Sequence, residues 1–115
     1  MFDTHISLAA AQAQLAQETS QPFTVLMQHG TLQVELFRPQ GLDTQQPHAQ
    51  DELYVVVSGT AELYRDGKRI ACAAPDVLFV PAGMEHRFEN FSADFATWVM
   101  FYGPQGGETD PILLT

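Results

Sequence analysis

The chain has 115 residues, 14 acidic and 5 basic, with a formal net charge of −9 and 45% hydrophobic residues. That length supports one domain with one core, and the hydrophobic share excludes wholesale disorder. The acidic balance argues against nucleic acid or an anionic membrane surface as a partner. The first twenty residues hold none of the Lys or Arg that a secretory signal would need, so no such signal is expected, and no apolar run approaches the ~20 residues of a membrane helix. Cys72 is the only cysteine, so no intramolecular disulfide forms, and the expected location is the reducing cytoplasm.

Taken in order, Ser7 is placed to cap a helix over Leu8 to Glu18, which Thr19-Ser20-Gln21-Pro22 ends. Its large apolar groups, Leu8 and Leu15, lie seven apart on a narrow face, so residues 1–22 read as a helical extension lying on the outside of a sheet or a partner. From Phe23 the pattern becomes short strands bounded by turn residues. Phe23 to Gln28 and Thr31 to Arg38 read as strands joined at His29-Gly30; in the second, Leu32, Val34 and Leu36 alternate with Gln33 and Glu35, which places the polar pair on a wet face.

Further strands are expected over Asp51 to Ser58, Thr60 to Arg65, Lys68 to Cys72, Asp76 to Val80, Glu85 to Phe91 and Phe95 to Tyr102. Asp66-Gly67 is the strongest hairpin signal. Residues 23–103 are therefore read as an all-β barrel of two antiparallel sheets, a jelly roll, with residues 104–115 as a tail. The apolar end Pro111-Ile112-Leu113-Leu114 packs either on its own barrel or across a dimer contact, and a homodimer is the expected assembly because a domain this small gains from added buried area.

The chemistry centres on two segments. If residues 46–52 are extended, Gln46, His48 and Glu52 share one face, and Gln50 has the same parity. His86 follows the Pro81-Ala82-Gly83 turn, where a new strand can bring a second imidazole to the same place. Two histidines and a carboxylate suit a divalent first-row metal with open coordination positions, whether Fe, Mn, Ni, Cu or Zn. The plainer reading of each histidine is a satisfied core or edge residue. Glu52 tells against it, because a carboxylate opening an apolar strand is costly to bury unless a cation or hydrogen bonds compensate it. Asp51 and Glu85, of opposite parity to their ligand neighbours, are expected to face solvent, and His5 and His29 to lie on the surface. Cys72 reads as a small buried hydrophobe, with no neighbouring histidine or helix start to activate a thiol. The sequence leaves open whether Arg87 and Asn90 support the site or belong to the barrel rim.

The same residues carry a family resemblance. Gln46-x-His48, three residues, Glu52, six residues and Gly59 resembles the first cupin motif, in which a His-x-His pair precedes a glutamate and a glycine. Pro81, Gly83, His86 and Asn90 match the second motif, Pro-x-Gly-x-x-His-x-x-x-Asn. The resemblance departs at Gln46, which stands where the first histidine would, and at Pro75, where glycine is usual. It implies the jelly-roll fold and a divalent metal on His48, Glu52, His86 and Gln46. Tyr54, Phe88 and Trp98 would then line the small-molecule site, with Val56, Phe79 and Met100 as further inward candidates. It also implies a range of activities that includes oxygenases and isomerases. The leading reading is a metal-dependent oxidoreductase or dioxygenase acting on a small molecule; the alternatives are a non-catalytic barrel that binds a small ligand or metal, and a purely structural barrel. Fold analogy does not choose among them.

Overall fold

The structure, a computed structural model, describes residues 4–109. The apolar segment 111–114, and with it the expected dimer contact, lies outside them. One helix, α1 (Leu8–Ala16), is followed by eight strands: β1 (Phe23–His29), β2 (Leu32–Phe37), β3 (Asp51–Ser58), β4 (Thr60–Arg65), β5 (Lys68–Ala73), β6 (Val77–Val80), β7 (His86–Glu89) and β8 (Ala96–Tyr102). They form two antiparallel sheets, β1-β2-β8-β3-β6 and β5-β4-β7. The expected all-β architecture of two sheets with a short N-terminal helix is the one observed.

Local chemistry fixes the turns. At the β4–β5 hairpin Asp66 and Gly67 have φ of 49° and 84°, the paired left-handed conformation a two-residue turn requires and Asp-Gly accepts. Gly59, between β3 and β4, has φ of 74°, and a Cβ there would lie 2.7 Å from Phe95 Cα. Only glycine fits both the conformation and the close approach.

Between the sheets lies the main core, where Tyr54, Leu63, Phe88 and Phe95 are at most 1% exposed. Burial of each such side chain contributes about 1.5–3 kcal/mol. A second cluster fills the outer side of the larger sheet: Ile6, Leu8, Ala11 and Leu15 of the helical segment cover Leu26, Leu36 and Ala96. The Ser7 hydroxyl accepts from the Ala10 amide at 3.1 Å, capping the helix as expected. Gln14 then donates to Thr24 Oγ1 and to the Val25 carbonyl, both at 2.8 Å, which pins the helix to β1.

The helix position reverses one expectation. Val34 and Leu36 point outward, under α1, while Gln33, Glu35 and Phe37 point into the barrel. A sheet covered on both sides has no wet face here, and the polar residues of β2 line an internal cavity instead. Asp51 also departs from expectation. It is 1% exposed, and its carboxylate accepts from the amides of Ala82 at 3.0 Å and Glu108 at 2.9 Å. It faces away from the cavity, but the post-β8 segment folds back over it, so the charge is buried and satisfied.

Candidate metal centre and cavity

The site forms at one end of the barrel, where the two motif segments meet. Residues 41–50 are irregular, and the strand begins only at Asp51. The His48 carbonyl accepts from the Gly83 amide at 2.8 Å, tying this segment to the turn that precedes His86. Glu52 enters from β3 and His86 from the first position of β7, in the opposite sheet. One ligand atom from each of His48, Glu52 and His86 lies within 4.8 Å of the others, close enough to share an ion.

Two observations show that these residues fit a cation. Glu52 is 1% exposed, and its Oε1 has no hydrogen-bond partner among the protein groups. It lies 3.1 Å from His86 Nε2 without hydrogen-bond alignment. A buried carboxylate oxygen left so is costly unless a positive charge compensates it. The second observation is the histidine orientation. His86 Nδ1 lies 2.9 Å from the Met84 carbonyl, so that nitrogen donates and Nε2 is the one presented to the site.

The surroundings tune both rings. Burial pushes the His48 imidazolium down, only partly opposed by Glu52, so the neutral, ligating form is favoured. Burial also lowers His86, but Glu52, the Met84 carbonyl and Asp43 outweigh it, and the net direction is up. The His48 ring packs at a tilt against its neighbours, with centroids 4.8 Å from Phe101 and 5.3 Å from His86.

The cluster opens into a cavity of about 470 Å³, within the range that holds small ligands. Phe23, Phe37, Val99 and Phe101 give it apolar walls, and Glu35, Asp43 and Glu52 are its acidic groups. Among the described residues no Lys or Arg lines it. Glu35 is 7% exposed, and burial raises its carboxyl from 4.5 to about 7 against the opposing Gln33 hydrogen bond, with a smaller contribution from Glu52. Gln33 Nε2 donates to it at 2.6 Å, and Gln28 Nε2 to Gln33 Oε1 at 2.6 Å.

A family model described as the cupin domain matches residues 33–102. The chain is a cupin. It is 43% identical over 63 residues to an uncharacterized protein of Streptomyces coelicolor, a match that takes in 55% of this chain and 60% of that protein. Among solved structures, a cupin 2 conserved barrel protein of Salinispora arenicola is similar at a TM-score of 0.67, with 20% identity over 88% of this chain and 91% of that one. The DMSP lyase DddQ of Ruegeria pomeroyi is similar at 0.62, with 25% identity over 79% of this chain and 50% of that one.

Several expected site residues sit elsewhere. Gln46 is exposed, and its amide lies 3.4 Å from the Thr44 carbonyl. Counting alternate faces from Glu52 fails because residues 46–50 are not strand. Gln50 Nε2 donates to the carbonyls of Thr31 and Gly103, both at 2.9 Å, a structural clasp. The side chain that does reach the histidines is Gln45, whose Oε1 is 3.1 Å from His48 Nε2 and 3.1 Å from His86 Nε2. No motif spacing singles it out.

Tyr54 lines the cavity as expected, and its hydroxyl donates to Gln45 Oε1 at 3.3 Å. Its pKa is raised well above 10, chiefly by burial, so it stays a phenol donor. Phe88, with ring centroids 4.8 Å from both Tyr54 and Phe95, is core rather than cavity wall. Trp98 faces the opposite way: Val99 and Phe101 of β8 point into the cavity, so alternation sends Trp98 outward into the cluster under α1. Met100 shares that outward parity, and Phe79 is likewise opposite in parity to inward-facing, buried Val80.

Arg87 and Asn90 belong to the rim: Arg87 pairs with Glu89 at 2.8 Å and lies over the Tyr64 ring, and Asn90 donates to Glu62. Glu85, His5 and His29 are exposed, and Cys72 is buried, as expected. Among the described residues no helix is long and apolar enough to cross a membrane.

Proposed function

We propose that this cupin is a divalent-metal-dependent enzyme acting on a small, oxygen-bearing molecule, with Glu35 as its proton carrier. The observation that carries the reading is the convergence of His48, Glu52 and His86 on one point at the end of an apolar-walled cavity. When bound there, the metal would supply Lewis-acid polarisation and open positions for a substrate oxygen. The protein's own residues do the rest. Phe23, Phe37, Val99 and Phe101 exclude water and orient an apolar portion of the substrate. Glu35 and Asp43 stand on its walls and, among the described residues, no Lys or Arg does, so the fixed side chains away from the cluster favour neutral or cationic portions of a substrate, and an anionic or oxygen-bearing portion would be left to the metal.

Glu35 is buried, has no cationic partner among the ion pairs of the described residues, and is held by Gln33. Its pKa of about 7 lets it give or take a proton at neutral pH. That favours proton-transfer chemistry, an isomerisation or elimination, and the likeness to a lyase supports the same class. A second reading, dioxygenase chemistry, is favoured by the two-histidine, one-carboxylate donor set itself.

The test is to incubate metal-loaded protein in D₂O with a panel of small hydroxy-carbonyl and β-substituted acid compounds, following C–H loss by proton NMR and oxygen uptake by electrode. Exchange or elimination lost in Glu35→Gln supports proton transfer. Oxygen uptake without exchange selects the dioxygenase. Saturable ligand binding with neither leaves a non-catalytic barrel.

A further inference from the structure

We propose that Gln45 is the fourth protein donor to the metal, with its amide oxygen turned inward by Asp43. The proposal rests on the reading of a divalent metal at His48, Glu52 and His86 and extends it to a residue outside the family motif.

The orientation of the amide follows from its partners. Asp43 Oδ2 lies 2.5 Å from Gln45 Nε2 and also accepts from the Phe88 amide at 2.8 Å, while Asp43 Oδ1 accepts from the Gln45 backbone amide at 3.2 Å. An ionised carboxylate only accepts, so the Gln45 atom facing it is the NH₂ group, and the atom facing the site is oxygen. Asp43 is itself buried at 9% exposure and anchored to the core strand that carries His86. The arm is therefore set before any ligand arrives.

That oxygen sits 3.1 Å from each histidine Nε2 and 3.3 Å from the Tyr54 hydroxyl, and Glu52 Oε1 lies 3.1 Å from His86 Nε2. Because His86 Nδ1 donates to Met84, its Nε2 presents a lone pair toward two oxygens in the neutral ring. A proton on Nε2 serves one of those oxygens. A single cation serves both oxygens and both ring nitrogens together.

The resulting set has two imidazole nitrogens, one carboxylate oxygen and one neutral amide oxygen. Such a set would leave room in the coordination sphere for water or a substrate oxygen. Its oxygen half leans toward harder ions such as Mn(II) and Fe(II) rather than ions that seek soft ligands.

The experiment measures Mn(II), Fe(II) and Co(II) affinity by competition with a chelating dye, and the Co(II) d–d spectrum, in wild type, Gln45→Ala, Gln45→Leu, Asp43→Asn and Gln46→Ala. Circular dichroism checks each fold. We expect a loss of about 10–100-fold in affinity for the Gln45 and Asp43 variants, the scale seen for groups that orient or complete a metal site, with an altered Co(II) spectrum and no change for Gln46→Ala. Gln45→Leu keeps the side-chain bulk, so it decides the matter if Gln45→Ala does not fold. Metal binding in wild type with unchanged affinity and spectrum in the folded Gln45 variants overturns the inference and leaves the metal reading standing. Loss confined to Gln46→Ala overturns it in favour of the motif position. No binding of any of the three ions to wild type overturns both.

Discussion

Replacing Glu35 with Gln gives a stability gain whose size depends on pH. In the unfolded chain this carboxyl ionises near its ordinary 4.5; in the folded barrel burial holds it to about 7. Between those values the folded state keeps a proton that the unfolded state has released, so stability falls as pH rises through that window and the loss is complete above it. From 4.5 to about 7, at about 1.4 kcal/mol per pH step, the full effect is about 3 kcal/mol. Solvent reaching Glu35 through the cavity makes this an upper value.

Gln is a neutral isostere whose carbonyl still accepts from Gln33, so the variant lacks the dependence. Urea unfolding of both proteins with a chelator present, at intervals from about pH 4 to pH 8, gives the difference directly. Other groups facing Glu35, namely Glu52, Asp43 and His48 around the cavity, are common to both proteins and largely cancel. Equal stability at low pH, with Glu35→Gln pulling ahead by up to about 3 kcal/mol above neutrality, is expected. A flat difference across the range refutes the claim that Glu35 holds its proton in the fold.

Gly59→Ala should destabilise by at least about 1–3 kcal/mol in thermal melts, since it combines a left-handed conformation with a backbone contact at Phe95; an unchanged Tm would contradict the packing described. Phe88→Ala should cost about 3–5 kcal/mol as a core cavity, measured by chemical denaturation. Trp98→Phe should leave metal affinity and ligand binding untouched while modestly loosening α1, so a binding defect in calorimetry would place that ring in the site after all. Asp51→Ala should free the segment after Tyr102, read as faster proteolysis there, because two backbone amides lose their acceptor.

The strands were legible because turn chemistry and alternation are local. Asp66-Gly67 and Gly59 punctuate the chain in the sequence as they do in the fold. His48, Glu52 and His86 were legible through spacing, and the structure brings their ligand atoms together. What spacing could not reveal depended on which surface another element covers. Glu35 looks like a solvent-facing residue until α1 is seen covering the other side of β2. Trp98 looks inward until the same helix claims it. Asp51 looks exposed until residues 104–108 fold back over it. Gln46 and Gln50 stood out because a strand was assumed where the chain is irregular, and only the hydrogen bonds of Asp43 show that the amide of Gln45 is the one that turns in. One signal was available: an acid two residues before Gln45, in a loop otherwise free of charge, where a side chain often bonds back to the backbone two positions on.

Metal content tests the central claim most directly. Protein purified without chelator or nickel column, beside Glu52→Gln, is assayed by elemental mass spectrometry as isolated and after exposure to Fe(II), Mn(II), Ni(II), Cu(II) and Zn(II). The account predicts a near-stoichiometric divalent metal in the wild type and its loss in the variant. It also predicts that the variant's chelator-treated stability is undiminished, because a buried carboxylate with an unpartnered oxygen has been neutralised. A wild type that takes up none of these ions, or equal metal in both proteins, would contradict it.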